Sequence, residues 1–123
     1  MYTLDTNTII YFLKDDRLAV DFLENIFEQN VPVYISSIVE AELFSFKHLN
    51  QKEIYAIEKI LKTVVTISLD SRVARVAGFL RRFYNIRLPD SIIAATALLT
   101  GTTLVTRNIR DFKNIPNLLI ESI

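Results

Sequence analysis

The sequence predicts an α/β fold in which a parallel sheet is covered by helices on both faces. Short strand-like segments alternate along the chain with longer segments that carry apolar residues at helical spacing, and this alternation is typical of parallel sheets. Half of the 123 residues are hydrophobic, and there are only two glycines and three prolines. This composition suits one compact domain over residues 1–123 and leaves little room for flexible linkers.

The first part of the chain is predicted to alternate between the two kinds of element. Residues 2–4 form a short strand, and residues 8–14 and 18–29 form helices. Residues 31–35 are again strand-like. The two serines that follow, Ser36 and Ser37, supply capping hydroxyl groups for a helix that runs to about Leu49.

The middle of the chain continues the alternation. A helix is predicted at residues 51–62 and a strand at residues 64–69. Asp70 or Ser71 can then cap an arginine-rich helix that ends near Phe83.

The last part of the chain is punctuated by proline and glycine. Pro89 precedes a helix at residues 91–100, and Gly101 ends that helix. Residues 103–106 and 118–120 complete the set as two short strands. In parallel sheets, functional residues gather beyond the carboxyl ends of the strands, so this edge is where unusual polar residues carry most information.

Charges are distributed unevenly although the formal net charge is zero. Residues 1–70 carry six Lys and Arg against eleven Asp and Glu, whereas residues 71–123 carry eight against three, so the two parts have net charges of −5 and +5. The second part contains a concentration of arginines: Arg72, Arg75, Arg81, Arg82 and Arg87. They are compatible with a nucleic-acid-binding face, but charge alone favours an ordinary solvated helix face.

Several classes of site are excluded by what the sequence lacks. Without cysteine there can be no disulfide, thiolate zinc site or cysteine nucleophile. There is no Gly-rich phosphate loop, which argues against a nucleotide cofactor. His48, the one histidine, is predicted to lie on the surface, which argues against a histidine-based acid–base mechanism. No leader segment and no apolar stretch of membrane-spanning length is visible, so we expect a cytoplasmic protein without membrane association.

Two acidic residues in the first part of the chain, Asp5 and Glu42, differ in how well an ordinary structural role accounts for them. Asp5 directly follows the first strand and points towards the functional edge, but on its own it is explained better as a helix cap. Glu42 shares a helix face with apolar residues, where an unpaired carboxylate would cost several kcal/mol. No basic residue lies on the same face, so a cation from solution is the favoured partner of Glu42.

Two further acids lie near strand ends later in the chain. Asp90 precedes an almost wholly apolar helix and is equally well explained as its cap or as a ligand. Asp111 follows the fourth strand in a loop that also contains Thr106 and Asn108. Four carboxylates at one edge would stay ionised together only with a divalent cation. An all-oxygen ligand set favours Mg²⁺ or Mn²⁺, which serve phosphoryl chemistry.

Four short motifs carry these acids. They are Leu4-Asp5-Thr6-Asn7, Ser37 to Leu43 with Glu42, Leu88-Pro89-Asp90 followed by Ile93-Ala94-Ala95, and Leu104-Val105-Thr106-Arg107-Asn108 with Asp111-Phe112. In this order they resemble the PIN-domain family, and within it the VapC-type toxins of bacterial type II toxin–antitoxin pairs. The resemblance covers the whole chain and shows no departure at the four acidic positions.

The resemblance implies a three-layer α/β/α fold with a five-stranded parallel sheet in the order 3-2-1-4-5. It implies endoribonuclease activity that depends on Mg²⁺ or Mn²⁺, with four catalytic metal ligands: Asp5, Glu42, Asp90 and Asp111. Polar groups that support the site or the substrate would be Thr6, Asn7, Thr106 and Asn108. Family members usually form homodimers and are inhibited by a cognate antitoxin, so the expected partners are RNA, an antitoxin and a second copy of the chain.

Three alternatives compete with this interpretation. A haloacid-dehalogenase-like phosphatase would use Asp5 as its nucleophile, but its general acid would be needed where this chain has Asn7. A receiver domain would place its phosphoacceptor at Asp70, but it also needs an acidic pair after the first strand and a lysine after the fifth. The third alternative is a PIN-like module that binds a partner without catalysis.

Overall fold

The computed structural model describes all residues from Met1 to Ile123 and contains five strands and seven helices. The strands are β1 (Tyr2–Leu4), β2 (Val33–Ser36), β3 (Val65–Ile67), β4 (Thr103–Val105) and β5 (Ile120–Glu121). The helices are α1 (Thr6–Leu13), α2 (Arg17–Glu28), α3 (Ser37–Leu43), α4 (Gln51–Leu61), α5 (Ser71–Tyr84), α6 (Leu88–Thr100) and α7 (Ile109–Phe112). None of the helices is long and apolar enough to cross a membrane.

The five strands form one sheet in the order β3-β2-β1-β4-β5, and every pairing is parallel. The first strand is central: Tyr2 is paired with Val33 on one side and with Thr103 on the other. Because all the strands run in the same direction, their carboxyl ends lie along a single edge. The predicted three-layer α/β/α fold and its strand order are confirmed.

The core lies between the sheet and the surrounding helices. Helix α6 is its most deeply buried element, because residues 91–97 are all buried and the helix contacts β1, β2 and β4. Such burial is expected of a helix that is apolar on every side. Gly101 then ends α6 with a φ of +64°, in the left-handed region that glycine tolerates best.

Local capping groups decide where several elements begin. Asp70 caps α5 by accepting a hydrogen bond from the Val73 amide at 2.9 Å. Of the two predicted caps, Asp70 and Ser71, the first is therefore confirmed. Ser36 caps α3 through the Ile38 amide. The hydroxyl group of Ser37 accepts instead from the Leu69 amide and joins the ends of β2 and β3.

Two predicted helix boundaries were wrong by three residues or more, and one helix was missed. Helix α3 ends at Leu43 rather than near residue 49, because Asn50 opens a new helix through a capping box with Glu53 and the chain must turn before it. Helix α6 begins at Leu88 rather than at residue 91, since proline is tolerated in a first turn. The short helix α7 was not predicted, and the buried ring of Phe112 holds it on the core.

Candidate active site

Acidic side chains gather at the carboxyl edge of the sheet around one pocket of about 290 Å³. Three of the four predicted ligands line it, namely Asp5, Glu42 and Asp90. Arg87 and Asn7 belong to the same wall. We call this cavity the acidic pocket. Asp111 lies outside its lining, although its charge acts on Asp90.

Asp5 is held rigidly at the end of the central strand, where only 6% of the residue is exposed. Its Oδ1 atom accepts a hydrogen bond from the Thr8 amide at 2.8 Å and thereby caps α1. Its Oδ2 atom accepts from the hydroxyl group of Thr106 at 2.6 Å. The capping interpretation is therefore right, and the same side chain also faces the acidic pocket.

A chain of hydrogen bonds connects Asp5 to Asp111 through the loop after β4. Thr106, which donates to Asp5, is completely buried and accepts a hydrogen bond from the Asn108 amide at 2.9 Å. The side-chain amide of Asn108 donates to Asp111 Oδ2 at 2.7 Å. The predicted supporting residues Thr106 and Asn108 thus orient two of the four acids.

Glu42 is half-buried and has no basic partner. The two ion pairs in the structure join Arg17 to Asp21 and Arg107 to Asp16. The contact that fixes Glu42 is instead a hydrogen bond of 2.6 Å from the hydroxyl group of Thr6 to its Oε1 atom. The other carboxylate oxygen has no side-chain donor, so it is free to bind a ligand in the acidic pocket.

Asp90 lies inside the first turn of α6 and does not cap it, because Arg87 occupies the capping position. Burial raises the pKa of Asp90 above its ordinary value. The positive charge of Arg87 opposes this shift of the pKa, whereas the negative charges of Asp111, Asp5 and Glu42 reinforce it. The pKa of Asp90 is therefore affected by the charges of all three of the other predicted ligands.

The donors around the acidic pocket are chemically suited to a hard divalent cation, but they do not form a closed cage. No group of three or more acidic or histidine side chains is arranged tightly enough to hold a metal ion unaided. Mg²⁺ usually binds to one or two carboxylates and keeps several water molecules. An open set of oxygen donors that share one pocket fits such an ion better than it fits zinc.

One interaction near the site could not be found from the sequence. Arg107 donates two hydrogen bonds to the carboxylate of Asp16 and stacks over the ring of Tyr11. It also donates to the carbonyl oxygen of Ile123 at 3.2 Å. Arg107 thus fastens the loop that carries Asn108 to the start of α2. Asp16 and Arg107 are 91 positions apart, so no local signal joins them.

The five arginines of the second part do not form one face. Arg81 donates to the carbonyl oxygen of Ile86 at 2.8 Å and so supports the connection between α5 and α6. Arg82 lies over the exposed rings of Phe79 and Phe83. Arg87 lines the acidic pocket. Its position three residues before Asp90 was the one available sign of that placement.

A second cavity of about 390 Å³ adjoins the acidic pocket and shares Ile10 and Phe46 with it. Most of its lining is apolar, including Leu13, Leu43 and Leu49. His48 is exposed at this cavity, in agreement with its predicted position on the surface.

Comparison with known proteins places the chain in a family. The family model of the PIN domain matches residues 2–118 of this chain. Ribonuclease VapC2 of Rickettsia felis is 31% identical, with 99% of this chain and 97% of that protein covered. In the VapBC2 structure from Rickettsia felis, bound to a DNA fragment from its promoter, one chain is 31% identical with a TM-score of 0.84, and the coverage is 99% and 98%. A toxin–antitoxin complex from Klebsiella pneumoniae gives 31% identity and a TM-score of 0.78, with 97% and 96% covered. The chain belongs to the PIN-domain family, and its relatives there include VapC ribonucleases.

Proposed function

We propose that this protein is an endoribonuclease that depends on Mg²⁺ or Mn²⁺ and acts as the toxin of a toxin–antitoxin pair. The observation that carries the proposal is the acidic pocket, in which Asp5, Glu42 and Asp90 face one cavity without a basic partner within ion-pair distance. Its relatives are named ribonucleases. The match to the PIN-domain family also argues against the two other enzyme and signalling classes, the haloacid-dehalogenase-like phosphatase and the receiver domain.

The ion would be held by Asp5, Glu42, Asp90 and Asp111. When bound, a divalent cation lowers the pKa of an attacking water molecule and stabilises the leaving oxygen of a phosphodiester. The carboxylates would supply the negative charge that retains the ion.

The remaining polar groups would keep the carboxylates in position. Thr6 fixes one oxygen of Glu42. Thr106 and the Thr8 amide fix both oxygens of Asp5. Because these hydrogen bonds are already made in the free protein, the carboxylates need little reorganisation when substrate arrives. Asn7 is exposed on the pocket wall and would contact substrate.

The proposed partners follow from the same comparisons. A cognate antitoxin would bind so as to block access to the acidic pocket, since toxin–antitoxin complexes are among the similar structures. A homodimer remains the expected assembly.

The proposal is tested by cleavage of a labelled RNA with purified protein in Mg²⁺, in Mn²⁺ and in EDTA. Cleavage should require the metal, and Asp5→Asn and Asp90→Asn should each reduce the rate by orders of magnitude. Asp15→Asn is a matched control, because Asp15 is an exposed acid at a φ of +59°, which asparagine tolerates. Full cleavage in EDTA by protein free of contaminating nuclease would contradict the metal requirement. Wild-type rates in both site variants would contradict the assignment of the site.

Expression in bacteria separates catalysis from mere binding. The wild-type protein should arrest growth, whereas Asp5→Asn should not, and co-expression of the neighbouring small gene should restore growth. Equal arrest by both proteins would favour the non-catalytic alternative, because the variant keeps nearly the whole surface of the wild type.

A further inference from the structure

Four of the eight arginine side chains are held by a contact within the protein. Arg107 binds Asp16, Arg17 lies near Asp21, Arg81 binds a backbone carbonyl and Arg82 lies over two aromatic rings. The other four make no hydrogen bond or ion pair through their guanidinium groups: Arg72, Arg75, Arg87 and Arg110. Of these four, Arg87 alone lines the acidic pocket.

The backbone of Arg87 is fixed although its side chain is free. The residue is extended, with φ −61° and ψ 147°, at the start of α6, and its carbonyl oxygen accepts a hydrogen bond from the Ser91 amide at 2.9 Å. Its side chain makes no capping hydrogen bond and is exposed. The guanidinium group is thus attached to a rigid position while all of its donors are available.

Arg87 is not the internal counter-ion of the carboxylates. It stands within 4.0 Å of no acidic oxygen, although Asp90, Asp5 and Glu42 line the same cavity. Its influence on Asp90 is therefore a through-space attraction and not a direct pair. An anion that entered the pocket would be repelled by the carboxylates and would need a positive group on the wall.

We propose that Arg87 binds a backbone phosphate of the RNA at the wall of the acidic pocket and holds it beside the carboxylates. The planar guanidinium group matches two phosphate oxygens at once, which a lysine ammonium group cannot do. This inference rests on the proposed ribonuclease function and adds to it a residue that determines how the substrate is seated.

The test measures binding of a fluorescein-labelled single-stranded RNA in Mg²⁺, with Asp5→Asn in every protein to prevent cleavage. In this background, Arg87→Gln should weaken binding about tenfold or more. It should also reduce the slope of log affinity against log salt by about 0.7, the value for one phosphate contact on a single strand. Arg87→Lys should keep the slope and recover only part of the affinity, because it retains the charge without the fork.

Arg75→Gln is the matched control, because Arg75 is equally exposed and unpaired but lies on α5 away from the pocket. It should bind as the parent does. In proteins without Asp5→Asn, single-turnover cleavage measured over a range of enzyme concentrations should show a higher half-saturation concentration for Arg87→Gln, with the Mg²⁺ requirement no lower than in the wild type.

Four results would overturn the inference. The first is unchanged affinity and salt slope in Arg87→Gln. The second is equal loss in the Arg75 and Arg87 variants, which would indicate diffuse attraction. The third is a lower Mg²⁺ requirement with unchanged RNA affinity, which would make Arg87 a competitor of the cation. Finally, failure of the wild type to bind or cleave RNA would refute the proposed function and this inference with it; in the other three cases the wild type still binds and cleaves RNA.

Discussion

Replacing Thr106 by valine removes one hydroxyl group from the structure with almost no change of shape. That hydroxyl group donates to Asp5 and accepts from the Asn108 amide, and the side chain is completely buried. A hydrogen bond to a charged group contributes about 1.5–3 kcal/mol, and the unsatisfied amide adds about 1 kcal/mol. We therefore expect Thr106→Val to lower the free energy of unfolding by roughly 2–4 kcal/mol, or the melting temperature by roughly 10 °C.

The same substitution should impair the proposed catalysis separately from stability. Asp5 would lose the donor that fixes its Oδ2 atom, and groups that orient ligands typically contribute about 10–100-fold to metal affinity or activity. Cleavage measured over a range of Mg²⁺ concentrations, well below the melting temperature, should show a requirement raised by that factor. Thr106→Ser keeps the hydroxyl group and loses a buried methyl group, so it should cost about 1 kcal/mol while cleaving nearly as the wild type does.

Thr3→Val is the control for burial alone. Thr3 is also completely buried, and its hydroxyl group is 2.6 Å from that of Thr102, which has a second neighbour in Thr100. The variant should lose about 1 kcal/mol and keep its Mg²⁺ requirement. The reasoning is refuted if Thr106→Val needs no more Mg²⁺ than the wild type, or if Thr106→Ser is equally impaired.

Three further outcomes are expected. The hydrogen bond from Arg107 lowers the pKa of Asp16, so its stabilising contribution is present above the ordinary aspartate pKa and is lost as the pH falls through the lowered value. In Asp16→Asn, the free energy of unfolding measured with urea should therefore fall less steeply than in the wild type as the pH is lowered. An unchanged dependence on pH would contradict this. Burial raises the pKa of Asp90, so its contribution is complete at acidic pH and is lost as the pH rises through the raised value. Asp90→Asn in EDTA at neutral pH should therefore melt above the wild type in calorimetry, and a lower melting temperature would count against it. His48→Ala should leave the cleavage rate unchanged, because the residue is exposed outside the acidic pocket, and a large loss would reopen a histidine mechanism.

Most of the fold was predictable because every element except α7 carries its own signal. Tyr2–Leu4 was predicted with its observed bounds, and the helix after Asp70 starts where its cap requires. The boundary of α3 was missed because Asn50 acts through a capping box that belongs to the next helix. A pattern of apolar residues alone continues past Leu43 and gives no sign of that competition.

The site was predictable as a location more than as an arrangement. Asp5, Glu42 and Asp90 share a pocket because the end of β1, the short helix α3 that follows β2 and the start of α6 meet at one edge of a parallel sheet. Their roles as metal ligands stay predictions. The orienting bond from Thr6 to Glu42 and the placement of Arg87 depend on the packing of distant segments, which no short window of sequence encodes.

The pairing of β1 with β4 also sets an order of events during synthesis. Thr106 leaves the ribosome 101 positions after Asp5. Until β4 has emerged, the central strand lacks one neighbour and Asp5 lacks one of its two donors. Contacts between such distant segments form late and slowly. The acidic pocket can therefore be completed only after residues 103–106 have emerged, and a nascent or truncated chain that ends before residue 103 carries the first three acids without the geometry that unites them.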